Sequence, residues 1–288
     1  MAERIPRHWA MDGVFPGAFG LWRGDDWTNR KRFVAEKGFH GSGVSLADLA
    51  DRGRADLLLE LGESHGQRYA VHLGVDYREA ADLAGKQMEE AVGIILAFNK
   101  RLPFKHVLIV VKVPGNRFDR EIGLPRQLKI LEARLRPVVE RCRADGLPVA
   151  IENHGDYYVS DLVELCGRVP GLEIQLDTGN CFLIGERPDL IPDAAFPLVR
   201  STHWKDHHVR PNHKDLCFQL TGATLGRGNV GLDAIYGRLL RLHPDPASVC
   251  MRVEWVPDPE RDPLECFADS LEYLKRISMG RFTGPAGE

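Results

Sequence analysis

The chain has 288 residues, of which 43% are hydrophobic, and its 38 basic and 41 acidic residues give a formal net charge of −3. This length suits one α/β barrel, and the charge gives no reason to expect nucleic acid or a membrane as a partner. No apolar run is long enough to cross a membrane, and the N-terminus lacks the apolar core of a secretory signal. The six cysteines form no CxxC pair, so we expect reduced thiols in a cytoplasmic protein.

Short apolar runs alternate along the chain with helical patterns. Some of these runs, such as HVLIVVKV, are continuously apolar, which is typical of parallel strands buried on both faces. The predicted strands are residues 16–22, 39–45, 69–75, 106–113, 148–153, 172–177, 199–204 and 248–255.

Each predicted strand is followed by a helical pattern, including one at residues 47–61 and one at 188–195. Eight such units predict an α/β fold, a single (β/α)8 TIM barrel that forms one domain over residues 1–288. We expect the two ends, residues 1–12 and 279–288, to be peripheral or loose.

Four consecutive predicted strands end in a side chain that can bind a metal ion. These side chains are Glu152, Asp177, His203 and Glu254. In a barrel, functional groups gather at the C-terminal ends of the strands. A buried charge is costly unless it is paired, and one salt bridge would explain one such residue. A shared cation explains all four more simply, so we predict one divalent metal site.

Three carboxylates and one imidazole are mostly hard ligands. They favour Mn²⁺ first and also Mg²⁺ or Co²⁺, with Zn²⁺ as an alternative. With four protein ligands, a six-coordinate ion would keep two positions for adjacent carbonyl and hydroxyl oxygens of a substrate.

Other polar residues near these strand ends are candidates for substrate contact. His154 and Lys205 each follow a predicted ligand by two residues and so share its side of the strand. Lys112 ends the fourth strand, and Arg210 could meet a carboxylate or phosphate of the substrate. The structural alternatives are a cap at the rim for His154 and a surface ion pair for Lys205.

The segment after His203 carries further acidic and imidazole groups. Asp206 is a candidate for orienting a histidine by a hydrogen bond. We expect His207, His208 and His213 to be loop residues, with substrate contact as the alternative. The sequence GRGNVG at 226–231 fits GxGxxG, but it lies outside a first βαβ unit, so we expect no dinucleotide there. Its N–H groups could still bind an anion at the following helix.

The ordered motifs IENHG, LDTGN, HWKDHH, LGRGNVGLDAI and VEW resemble the xylose-isomerase-like TIM barrel family of sugar phosphate isomerases and epimerases. Ketose 3-epimerases, inosose isomerases, dehydratases and apurinic-site endonucleases are relatives. The resemblance covers residues 106–275 well and implies the same four metal ligands. Ketose epimerases commonly have a His where this chain has Asn180, which puts a simple free-ketose epimerase in doubt. Asn180 can still bind substrate by hydrogen bonds.

The resemblance implies an enzyme of carbohydrate metabolism, a metal-dependent isomerase or epimerase of a sugar, keto-sugar derivative or inosose. It would act through a metal-bound enediolate, with Glu152 and Glu254 as acid and base from opposite faces. A lyase or dehydratase that uses the same site is the alternative.

Two other classes of function fit the sequence less well. An apurinic-site endonuclease would need more histidine ligands and a basic face. A non-catalytic barrel would not need an intact ligand set. The expected partner is therefore a small sugar-like molecule, and a homo-oligomer remains an open alternative because family barrels often form dimers or tetramers.

Overall fold

The computed structural model describes residues 4–13, 26–103, 107–155, 157–212 and 217–282. Its main sheet has eight parallel strands. They are β1 (His8–Gly13), β2 (Gly41–Ser45), β3 (Arg68–Gly74), β4 (Leu108–Lys112), β5 (Val149–Glu152), β6 (Leu172–Asp177), β7 (Val199–His203) and β10 (Cys250–Trp255). Two further strands, β8 (His207–Asn212) and β9 (Cys217–Gly222), form a separate antiparallel hairpin.

The eight strands follow one another around the sheet in the order β1-β10-β7-β6-β5-β4-β3-β2. The edge strands approach each other where His40 N, just before β2, donates a hydrogen bond of 2.6 Å to Trp9 O in β1. The sheet is therefore a nearly closed barrel, which confirms the predicted TIM-barrel fold. Strand β4 shows why a continuous apolar run was informative, since residues 108–111 are all buried.

Helices lie between the strands. They are α1 (Asp26–Glu36), α2 (Leu46–Ala50), α3 (Arg52–His65), α4 (Ala81–Arg101), α5 (Leu124–Ala144), α6 (Val159–Arg168), α7 (Thr178–Leu183), α8 (Leu232–Leu242) and α9 (Pro263–Ile277). Helix α6 is typical, because Val159, Leu162 and Leu165 recur at three-residue spacing and are fully buried. In the described ranges no helix combines the length and the apolar character needed to cross a membrane.

The N-terminal segment differs from the prediction. The strand predicted at residues 16–22 lies outside the described residues, and β1 is the first strand of the sheet. The expectation that residues 1–12 are peripheral is therefore wrong for residues 8–12. Trp9 and Met11 are buried in the core, and β1 pairs in parallel with β10 over its whole length.

The C-terminal segment is also better packed than expected as far as it is described. Phe282 is fully buried, with its ring 4.8 Å from Phe39 and 6.2 Å from Trp9. The expectation of a loose end at 279–288 is therefore wrong at Phe282, and residues 283–288 lie outside the described part.

Two helical predictions need correction. The pattern at 47–61 is divided between α2 and α3, because Asp51 leaves the helical conformation and its side chain caps Arg54 N. The helix predicted at 188–195 is instead a 3₁₀-helix at Asp193–Leu198. Prolines at 188, 192 and 197 supply no N–H groups, which disfavours a regular α-helix there.

Candidate metal centre

The four predicted metal ligands meet at the C-terminal ends of their strands. Glu152 ends β5, Asp177 ends β6, His203 ends β7, and Glu254 is the penultimate residue of β10. Their candidate ligand atoms all lie within 4.8 Å of one another. His203 Nδ1 is at the centre, 3.1 Å from both Glu152 Oε1 and Glu254 Oε2 and 3.5 Å from Asp177 Oδ2.

The strand register explains why residues so distant in sequence are level with one another. Asp177 is paired directly with His203 across β6 and β7, and Glu152 is opposite Gln175 on β6. Asn153 reinforces this alignment, because its amide accepts a hydrogen bond from Asp177 N (2.7 Å) and donates one to Asp177 O (2.9 Å). The backbone therefore fixes the separation of the carboxylates.

Burial and missing hydrogen bonds show that this donor set fits a divalent cation. The side chains of Glu152, Asp177 and His203 are completely inaccessible to solvent. Asp177 Oδ2 and Glu254 Oε2 are buried without a well-oriented hydrogen bond among the described residues, although Lys205 Nζ is within ion-pair distance of both. Buried carboxylates at this spacing repel one another, and a shared cation would remove that cost.

The electrostatics of the centre follow from the crowding of acids around one imidazole. Burial disfavours the charged form of His203, but the nearby carboxylates of Asp12 and of the three acidic candidate ligands outweigh it and raise its pKa well above the usual range. Burial opposes the charge of Glu254 too, yet contacts with His203 and Lys205 lower its pKa to about 2. Metal coordination requires a neutral imidazole, so binding of a cation would release a proton from His203.

Two lysines contact the acids of this centre. Lys205 Nζ lies 2.8 Å from Asp177 Oδ2 and 2.5 Å from Glu254 Oε2. Burial disfavours its charge, but these two carboxylates prevail and raise the pKa of Lys205. Lys112 Nζ lies 3.3 Å from Glu152 Oε2. Both predicted substrate contacts are thus within the site.

A glycine makes the close approach of Lys205 possible. Gly179 lies in α7 immediately beside the segment after β7, and a Cβ there would lie 2.7 Å from His207 Nε2 and 2.8 Å from Lys205 Cβ. Any side chain at this position would displace the lysine. The Asp-Thr-Gly-Asn motif therefore supplies both a candidate ligand, Asp177, and the space for its cationic neighbour Lys205.

Sequence reasoning missed three residues of the site, which are Asp12, His72 and Arg252. Asp12 in β1 accepts two hydrogen bonds from Arg252 in β10, at 2.7 and 2.8 Å, and its Oδ2 is 3.2 Å from His203 Nε2. Asp12, His72 and His203 form a second group close enough to share a cation. Because Asp12 follows HWAM, the signal of an acid after an apolar run was present but lay before the expected first strand.

The other predicted substrate residues are less central. The side chain of His154 is exposed two residues after the end of β5. Asn180 donates its backbone N–H to Asp177 Oδ1 at 2.9 Å, and its buried Nδ2 has no hydrogen-bond partner in the described ranges. Arg210 lies on β8 and binds both oxygens of Asp258 at 2.8 and 2.9 Å, so its charge is already paired.

Asp206 has a different role from the one considered for it. Its carboxylate accepts backbone hydrogen bonds from His207, Gly226, Gly228 and Val230, at 2.9–3.2 Å. The GRGNVG segment thus surrounds an anion, but the anion is the protein's own carboxylate. A Cβ at Gly228 would overlap Asp206 Oδ1, which explains a glycine there. The backbone N–H groups of Gly226, Gly228 and Val230 are therefore engaged by Asp206.

The histidines after β7 lie on or near the hairpin. His207 Nδ1 is 3.2 Å from Thr221 O on β9, whereas its buried Nε2 has no partner among the described residues. His208 Nε2 is 3.4 Å from Asp258 Oδ2. His213 lies outside the described residues.

The fold and the site together define a (β/α)8 barrel with a candidate divalent-metal centre at its C-terminal face. Residues 32–277 match the family model described as xylose isomerase-like TIM barrel, and the chain belongs to this family. The comparison with curated proteins gave no match.

Solved structures with the same fold include proteins with different described activities. The 3-keto-D-glucoside 4-epimerase of E. coli has a TM-score of 0.69 and 15% identity, covering 93% of this chain and 98% of its own. A xylose isomerase-like TIM barrel protein from Mycobacterium smegmatis in complex with magnesium has a TM-score of 0.68 and 13% identity, covering 98% and 99%. The probable 3-DHS dehydratase of Bacillus anthracis has a TM-score of 0.64 and 15% identity, covering 93% and 99%.

Proposed function

We propose that this protein is a divalent-metal-dependent isomerase or epimerase of a sugar, keto-sugar derivative or inosose. The observation that carries the proposal is the convergence of Glu152, Asp177, His203 and Glu254 within 4.8 Å at the functional face of the barrel. The family and the epimerase among the similar structures support the same class of chemistry.

The same four side chains would hold the metal ion. When bound, a hard divalent cation such as Mn²⁺ would polarise a substrate carbonyl and make the hydrogen on the neighbouring carbon more acidic. The magnesium complex of the M. smegmatis protein supports an ion of this hard type.

Glu152 and Glu254 are the candidate acid and base. They extend from β5 and β10, and each has an oxygen 3.1 Å from His203 Nδ1, so both carboxylates adjoin the same part of the site. The low pKa of Glu254 leaves it unprotonated near neutral pH, as a base must be. Removal of a proton by one carboxylate and delivery of a different proton by the other, in its protonated form, would invert a carbon centre, whereas delivery of a proton to the adjacent carbon would isomerise the substrate.

Lys205 is placed to stabilise negative charge on the substrate during proton removal. Its Nζ lies beside Asp177 and Glu254, and those carboxylates keep it protonated. An ammonium group can donate to the oxygen of a developing enediolate, which is electrostatic stabilisation of the charge that forms.

A dehydratase is the second candidate, favoured by the likeness to the B. anthracis dehydratase. Elimination of a β-hydroxyl begins with the same proton removal, so the described ligands serve either reaction. The fate of the substrate after proton removal distinguishes them.

The test is turnover of keto-sugars and inososes by the Mn²⁺-loaded protein in deuterated water, followed by NMR. We expect deuterium at the carbon beside the carbonyl without loss of water from the substrate; an unsaturated product would instead identify the dehydratase. Glu152→Gln and Glu254→Gln should each lower turnover by about 10²–10⁴-fold, since each removes a proton-transfer group.

Glu140→Gln, an exposed change on α5, is the matched control and should be fully active. Circular dichroism would verify that all variants are folded. Full activity in both site variants would refute the mechanism.

A further inference from the structure

A cavity of about 330 Å³ opens beside the metal-ligand cluster. Its barrel side is formed by Asp12, His72, Lys112 and Glu254, and its outer side by α1 and by residues 42–45 with Asp48. Sites for small molecules typically occupy about 300–1,000 Å³, so this cavity is large enough for a compact ligand. Because Glu254 belongs both to the cavity wall and to the candidate metal centre, a substrate at the metal centre would extend into this cavity.

The carboxylates in the cavity wall are already paired with cations that do not line it. Within the described residues, the pairs are Asp12 with Arg252 at 2.7 Å, Asp48 with Arg54 at 2.8 Å, and Glu254 with Lys205 at 2.5 Å. The acids of the wall therefore make these ion pairs with cations behind the wall rather than with Lys31.

Lys31 of α1 is a cation of the wall itself. Its Nζ donates to Ser42 Oγ at 3.2 Å and to Gly43 O, which are both neutral acceptors. No carboxylate of the described ranges lies within ion-pair distance of it. Burial lowers the pKa of Lys31 to about 8, against the attraction of Asp12 and Asp48, so it still carries its proton at neutral pH. A sheltered ammonium without a direct anionic partner is costly unless a ligand supplies one.

Lys112 and His72 add donors on the opposite side of the cavity. Lys112 Nζ contacts Glu152 at 3.3 Å, and a metal ion on Glu152 would take up much of that carboxylate's charge. His72 Nε2 is buried without a hydrogen-bond partner among the described residues. The wall thus combines two ammonium groups with an unused imidazole nitrogen.

We propose that this cavity binds an anionic group of the substrate, a carboxylate or a phosphate, between Lys31 and Lys112. The substrate class is then an acidic keto-sugar rather than a neutral one. This inference rests on the proposed function for the reacting end of the molecule, but binding of the anion does not require turnover. Charge-assisted hydrogen bonds from two lysines would discriminate strongly against a neutral analogue.

The test is isothermal titration of the Mn²⁺-loaded protein with three ligands of one carbon skeleton: D-fructose, D-fructuronate and D-fructose 6-phosphate. We expect at least one acid to bind about tenfold or more tightly than D-fructose, from the usual strength of charged hydrogen bonds. Preference for the uronate would identify a carboxylate as the anion, and preference for the sugar phosphate would identify a phosphate.

Variants link that preference to the cavity. Lys31→Met and Lys112→Met should each remove most of the acid's advantage, whereas Lys31→Arg should retain it. Lys31→Met, which leaves the metal centre untouched, should change the affinity for D-fructose by less than about twofold. Lys37→Met is the matched control, because Lys37 follows α1 but does not line the cavity. Thermal melting would verify that each variant is folded.

Equal affinity for acids and D-fructose, no binding of any acid, or an acid preference unchanged in both methionine variants would overturn the anion site. Failure of the proposed function would look different. Lysine-dependent binding of an acid without turnover of any keto-sugar would contradict the enzyme assignment alone, and turnover of neutral keto-sugars without acid preference would contradict the anion site alone.

Discussion

At the scale of single residues, His203 organises the site because four carboxylates approach its two ring nitrogens. Its Nδ1 faces Glu152, Asp177 and Glu254, and its Nε2 faces Asp12. The sequence identified the first three acids because each ends a recognisable strand. It missed Asp12 because the expected first strand lay farther along the chain.

The assignment of Asp177 as a ligand can be tested by metal binding alone. Asp177→Asn keeps the shape of the side chain but removes its charge. Changing a residue that only supports a metal ligand typically costs about 10–100-fold in metal affinity, so the loss of a ligand carboxylate should lower the affinity for Mn²⁺ by at least that much. Isothermal titration measures this directly, with exposed Asp145→Asn at the end of α5 as the control. Unchanged affinity in Asp177→Asn would remove this residue from the ligand set.

The buried pair of Asp12 and Arg252 makes a separate prediction about stability. Both side chains are at most 4% exposed, and Arg252→Met would leave Asp12 without its main cation. The free energy of unfolding should fall by about 3–5 kcal/mol, as when one partner of a buried pair is removed. Urea denaturation without added metal measures it, and adding Asp12→Asn should recover part of the loss. A single variant as stable as wild type would contradict the prediction.

At the scale of elements, the segment after β7 determines how the rim is built. It turns away from the barrel as the β8–β9 hairpin, which is fastened by Arg210 and His208 to Asp258. The sequence did not predict this hairpin. Its residues were instead considered as substrate contacts, because the sequence pattern of polar side chains after a strand is the same whether those side chains face a ligand or one another.

The Asp206 interaction should stabilise the loop at residues 226–230. Asp206→Asn would turn an amide N–H₂ towards backbone N–H donors, so the free energy of unfolding should fall by about 1–3 kcal/mol. Hydrogen exchange should quicken at the amides of Gly226 and Gly228, which donate to this carboxylate. Exchange rates like those of wild type would show that the carboxylate does not hold the loop.

At the scale of the whole molecule, the candidate metal centre joins strands from both ends of the sequence. Its candidate ligands come from β5, β6, β7 and β10, and β1 adds Asp12 beside them. A cation that binds only when these strands are assembled must stabilise the folded barrel relative to the unfolded chain.

Addition of Mn²⁺ should therefore raise the melting temperature, and a chelator should reverse the effect. At free Mn²⁺ about one hundred times the dissociation constant, linkage gives about 2.7 kcal/mol of added stability. Calorimetry of wild type and His203→Ala measures it, and the variant should show little of the shift. An equal shift in both proteins would mean that the ion binds elsewhere.

The sequence by itself determined the alternation of strands and helices and the four candidate ligands, because buried parallel strands are continuous apolar runs and a charge at their ends is conspicuous. Only the tertiary structure decided the position of β1, the pairing of Asp12 with Arg252, the enclosure of Asp206 by the glycine-rich segment, and the placement of Lys31 at the cavity beside Glu254. Each of these depends on contacts between residues far apart in the chain, which local patterns do not encode.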